Sequence, residues 1–105
     1  MVAAIRPDSP CIRCGEPVAQ HVGGGAPKRY CSIRCRRLQE FEIRRVNRHL
    51  ESAEWRLQAA LERLEAVLAG AVGLGSVAGA EAAVADAAAR VAELEARLGE
   101  LVGAL

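Results

Sequence analysis

Four cysteines carry the only chemistry-bearing pattern of this chain: Cys11-Ile-Arg-Cys14 and Cys31-Ser-Ile-Arg-Cys35. The spacing is C-x2-C, sixteen residues, then C-x3-C. Two pairs of thiols so placed can converge on one ion with tetrahedral preference, and zinc is the metal this pattern predicts. The competing reading, a two-disulfide framework, belongs to short secreted chains. The first ten residues have no apolar core of the length a secretion signal needs. No run approaches the eighteen or so apolar residues of a membrane span. Both points predict a cytoplasmic chain whose thiols stay reduced and bind metal.

A four-thiolate shell leaves no position for water or substrate, which predicts one structural zinc ion and no catalysis. His21, between the two pairs, could compete as a ligand, but the four cysteines already complete the shell. His49 reads as a solvated helix residue. The site needs particular neighbours, and the chain has them. Gly15 lets a tight turn close after Cys14, so that backbone N–H groups point at sulfur. Ser32 suits a helix N-cap, which puts Cys35 on the first turn, where the helix dipole favours a thiolate. Lys28, Arg29, Arg34 and Arg36 stand ready to offset the −2 charge of a zinc tetrathiolate. Two short strands, 17–22 and 28–30, are predicted, turned by Gly23-Gly24-Gly25. Knuckle, hairpin and helix together make a treble-clef-like module over residues 1–40.

The run Arg-Tyr-Cys-Ser-Ile-Arg-Cys-Arg-Arg after Cys-x-x-Cys-Gly resembles bacterial and phage zinc fingers with a (Phe/Tyr)-Cys-Ser-x-x-Cys-Arg core. The short DNA-gyrase-inhibitor zinc proteins are among them. The resemblance covers about residues 9–40. It implies Cys11, Cys14, Cys31 and Cys35 as ligands and Tyr30 as the aromatic before the third. Past the second pair the chain departs from the gyrase-inhibitor pattern, into Leu38-Gln-Glu-Phe-Glu-Ile-Arg-Arg. The resemblance therefore implies a fold and does not extend to gyrase inhibition.

The remainder, 41–105, reads as a long antiparallel coiled-coil helical hairpin, so the fold class is mostly α. Ile43, Val46, Leu50, Ala53, Leu57, Ala60, Leu64 and Val67 alternate at three and four residues, a heptad seam running to about residue 68. At 1.5 Å per residue this helix spans ~55 Å. A glycine-rich loop is expected over 69–80 and a second helix over 81–103, with its seam at Val84, Ala87, Val91, Leu94, Leu98, Leu101 and Leu105. Leu61, Leu68 and Val102 widen the stripes beyond what one hairpin covers, so a homodimer forming a four-helix bundle is predicted. Phe41 and Trp55 fall off the seam. Phe41 is expected to pack on the zinc hairpin, and Trp55, ~20 Å further on, to anchor a protein partner.

Charge divides the chain. Residues 1–48 hold ten basic and four acidic side chains, net +6, while 49–105 hold four basic and nine acidic, net −5. At 100° per residue, Arg34, Arg37, Arg44, Arg45 and Arg48 share about a third of the helix circumference, away from the seam. With Lys28 and Arg29 they form the footprint expected of a nucleic-acid-binding head, DNA above all. Alanine and arginine richness fits an actinobacterial or phage source.

The function these features predict is a small zinc-finger regulator that binds nucleic acid and uses its hairpin to dimerise or recruit a partner. The alternatives are an adaptor or inhibitor that grips a partner enzyme, and a structural coiled-coil assembly protein. No phosphate loop follows Gly23-Gly24-Gly25. None of Ser9, Ser32, Ser52 and Ser76 sits in a nucleophile elbow. An enzyme and a small-molecule substrate are therefore not expected.

Overall fold

The computed structural model of the chain describes residues 9–19 and 28–105. The element order is β1 (Ser9–Pro10), β2 (Pro17–Val18), α1 (Ile33–Leu68) and α2 (Val77–Gly103). The protein is mostly helical, and α1 and α2 form an antiparallel hairpin. Among the described residues no helix is long and apolar enough to cross a membrane. The chain divides into two compact units. One holds the described residues up to Ile43 together with Leu101–Leu105, and the other holds Arg44–Glu100.

In the first unit the turn between the first two cysteines is itself a hairpin. The Cys11 N–H donates to the Glu16 carbonyl (2.7 Å) and the Gly15 N–H donates to the Cys11 carbonyl (2.9 Å). Gly15 has φ +80°, the left-handed region that a side chain would strain. The closed turn sets β1 against β2, antiparallel, with Ser9 opposite Val18 and Pro10 opposite Pro17. This corrects the strand pairing predicted from sequence. Residues 28–30 form no strand. They lie against the knuckle instead, where the Ile12 N–H donates to the Arg29 carbonyl (3.0 Å). The partners of Pro17 and Val18 stand seven and nine residues upstream, because a short loop costs less entropy to close than a long one. The expected turn at Gly23-Gly24-Gly25, and His21, lie outside the described residues.

α1 begins as expected. The Ser32 hydroxyl accepts from the Cys35 N–H (3.2 Å), which satisfies one of the four unpaired donors of the first turn. It ends in a Schellman motif: the Gly70 N–H donates to the Val67 carbonyl (3.0 Å) and the Ala71 N–H to the Ala66 carbonyl (2.9 Å). The predicted seam is the inward side. Val46, Leu50 and Ala53 are buried, and Ile43, Leu57, Ala60, Leu64 and Val67 are half-buried. One turn before Ile43, at the same spacing, stands Gln39, 3% exposed. Its Nε2 donates to the Leu101 carbonyl (3.3 Å), one of the last carbonyls of α2, which lack a partner within the helix.

α2 starts four residues earlier than the sequence suggests. The Ser76 hydroxyl accepts from the Gly79 N–H (3.0 Å) and its carbonyl from the Ala80 N–H (3.0 Å), so Ser76 is the N-cap. The loop is therefore 69–76. Ala80, fully buried, extends the α2 seam of Val84, Ala87, Val91, Leu94, Leu98 and Leu101 by one position. Leu105, expected in that seam, lies past the helix end and is exposed. Leu61, Leu68 and Val102 are exposed as well, as the width of the stripes implies.

Arg63 holds the loop. Its Nε donates to the Leu74 carbonyl (2.8 Å), and its Nη2 lies 2.8 Å from where a Cβ on Gly75 would stand. Gly75 also has φ +86°. Alanine there meets a left-handed backbone penalty and must displace the guanidinium. We expect Gly75→Ala to destabilise the hairpin by about 1–2 kcal/mol, read as a lower midpoint in thermal unfolding followed by circular dichroism. An unchanged midpoint would show that the loop relaxes freely.

Candidate metal centre

The four sulfurs meet. Cys14 Sγ lies 3.4 Å from Cys31 Sγ, and Cys31 Sγ lies 3.5 Å from Cys35 Sγ. All four ligand atoms lie within 4.8 Å of one another. A tetrahedron with metal–sulfur bonds of about 2.3 Å has sulfurs about 3.8 Å apart, so the cluster is the right size for a metal ion. Every cysteine is a free thiol, and the sulfurs are well beyond the 2.05 Å of a disulfide bond. The knuckle supplies Cys11 and Cys14, residue 31 arrives just before the cap, and the first turn of α1 presents Cys35. The Arg13 guanidinium pairs with the Glu42 carboxylate and so ties the knuckle to α1.

The electrostatics of the cluster favour a cation. Burial opposes ionisation of Cys11. The backbone N–H groups of Cys14, Cys31 and Arg13 and the Cys14 thiol outweigh it and lower the thiol to about 6. Cys31 is pushed up to about 12, first by the neighbouring Cys14 and then by Cys35. At Cys14 the Glu16 N–H and the Cys31 thiol favour the thiolate. Burial and the Cys11 and Cys35 thiols prevail, and its pKa is raised. One thiolate forms readily, and further negative charge within 4.8 Å of it is resisted until a cation accepts it.

Beside the cluster lies a cleft of about 630 Å³. Val18, Lys28, Arg29, Tyr30, Ile33 and Arg36 line it. Lys28, Arg29, Arg34 and Arg37, which the sequence marks for nucleic acid, are all exposed in this first unit. Arg36 was assigned only as counter-charge. Its place in the cleft follows from standing four residues after Ser32 on α1. It also pairs with Glu40 (3.1 Å). Phe41 is 63% exposed, and most of the 17–30 hairpin on which it is expected to pack lies outside the described residues. In the second unit Arg44, Arg45 and Arg48 are exposed, and Trp55 is 76% exposed.

The arrangement defines a cysteine-cluster module followed by a helical hairpin. No family model matches the chain, and neither a curated protein nor a solved structure does.

Proposed function

We propose that Cys11, Cys14, Cys31 and Cys35 hold one structural zinc ion, and that the module so organised is the head of a small nucleic-acid-binding regulator. The observation that carries this reading is the cleft beside the cysteines. It is concave and is lined by three cations, Lys28, Arg29 and Arg36, with an aromatic ring, Tyr30. Phosphate oxygens take such cations, and bases stack on such rings. The exposed Arg34 and Arg37 extend the positive surface of this unit, and Arg44, Arg45 and Arg48 bring three more cations on the second. The resemblance to bacterial and phage zinc fingers points the same way, as does the basic balance of residues 1–48. The role is binding, in a reducing cytoplasm, with no substrate turned over.

Fluorescence anisotropy of the zinc-loaded protein on random duplex and single-stranded DNA tests the proposal. We expect micromolar affinity at low salt. Five phosphate contacts would weaken it several hundredfold between 50 and 200 mM salt. Arg44→Ala/Arg45→Ala/Arg48→Ala and Lys28→Ala/Arg29→Ala should each flatten that salt dependence. Absence of binding at 50 mM salt would end this reading.

A second reading, an adaptor for a protein partner, has one observation in its favour. Trp55 is 76% exposed on a regular helix, and an exposed tryptophan is a common anchor of interfaces.

A further inference from the structure

Arg44, Arg48, Glu51 and Trp55 lie on one line of α1. At 100° per residue they fall within about 30° of a common direction, on the side turned away from Val46, Leu50 and Ala53. All four are exposed. Among the described residues neither Arg48 nor Glu51 has an ion-pair partner, although Arg36–Glu40, Arg90–Glu93 and Arg97–Glu100 pair elsewhere. Trp55 sits with Glu51, Glu54 and Gln58 around a shallow depression of about 370 Å³. An indole face flanked by two carboxylates and an amide suits a guanidinium, which stacks on the ring while its N–H groups meet the oxygens.

The order of these residues is antisymmetric. Counted from the midpoint between His49 and Leu50, Arg48 and Glu51 stand equally far out on opposite sides, and so do Arg44 and Trp55. A two-fold axis at that midpoint lays a second α1 antiparallel to the first. Arg48 then comes level with the second copy's Glu51, and Arg44 with the second copy's Trp55. Each contact occurs twice, as a two-fold interface requires. The seam edges Leu61 and Leu68 are also exposed, but nothing about them selects an occupant. The charged line does, because its own sequence reversed is its complement.

We propose that this outer face of α1 is a self-recognition surface, on which a second copy of the chain docks antiparallel with arginine seated on Trp55. The proposal does not rest on the nucleic-acid reading. Where both hold, a second copy and nucleic acid exclude each other from Arg44 and Arg48.

The test is sedimentation equilibrium of the metal-loaded protein without nucleic acid, at low and high salt, with emission of Trp55, the single tryptophan, recorded alongside. We expect a dimer that weakens with salt. Arg48→Glu alone and Glu51→Arg alone place like charges opposite each other, and each should raise the dissociation constant about tenfold or more. An equimolar mixture of the two variants restores opposite charges at both contacts and should dimerise again, as should the Arg48→Glu/Glu51→Arg double variant. Trp55→Ala should weaken the dimer and leave helicity intact. A wild-type monomer at 200 μM would overturn the proposal. So would a dimer indifferent to both single variants, which would move association to the leucine edges, or a mixture that stays monomeric.

Discussion

With the proposed zinc chelated in reducing buffer, the protein should lose the first unit and keep the second. Structural zinc contributes apparent binding free energies of about 10–16 kcal/mol in small modules, far more than the two-residue β-pair and the buried Val18 and Leu101 among the described residues of this unit can supply. The resonances of residues 9–19 and 28–32 should collapse toward unfolded shifts. Circular dichroism should change little by comparison, since only residues 33–43 of α1 and 101–103 of α2 belong to the first unit, fourteen of the 63 helical residues. Cys14→Ser should reproduce the effect without chelator, because three thiolates leave the shell open. Acid should do so as well. Metal binding requires thiolates, and in the free cluster the pKa values of Cys14 and Cys31 are raised, so those thiols are protonated at neutral pH and give up protons as the ion enters. Affinity therefore rises with pH and falls as pH is lowered, with Cys11, at about 6, protonated after Cys14 and Cys31. A spectrum unchanged by chelation would show that the cysteines are only neighbours.

Leu94→Ala should cost about 2–4 kcal/mol, the range for a buried leucine cut back to alanine. Leu94 is 6% exposed and faces a seam that contains no aromatic residue to close over the space. Small domains have a total stability of about 5–15 kcal/mol, so this single truncation removes a large part of it. The denaturant midpoint followed by circular dichroism reads the loss. A change below 1 kcal/mol would mean that the helices shift to fill the cavity.

The seam was legible because valine and leucine recur at three-four spacing between charged residues. What escaped the periodicity was polar or small. Gln39 occupies a seam position, yet a count of apolar residues passes over it, and only its partner at Leu101 explains its burial. The start of α2 was hidden by Gly79 and Ala80. Glycines in that run read as loop, while the Ser76 cap and the first-turn position of Gly79 make the residue tolerable there. The convergence of Cys11, Cys14, Cys31 and Cys35, and the Ser32 cap, could be read from spacing alone. The strand partner could not, since prolines at positions 10 and 17 argue against β-structure unless they sit at an unpaired edge. The Arg13–Glu42 pair joins residues 29 positions apart and leaves no local trace.

The tail of the chain belongs to the cysteine-bearing unit. Leu101–Leu105 cluster with the residues up to Ile43, and the carbonyl of Leu101 satisfies the buried amide of Gln39. The two units therefore offer different points of attachment. A label or fusion partner joined after Leu105 continues from the cysteine-bearing unit, whereas one inserted in the 69–76 loop is carried by the hairpin alone.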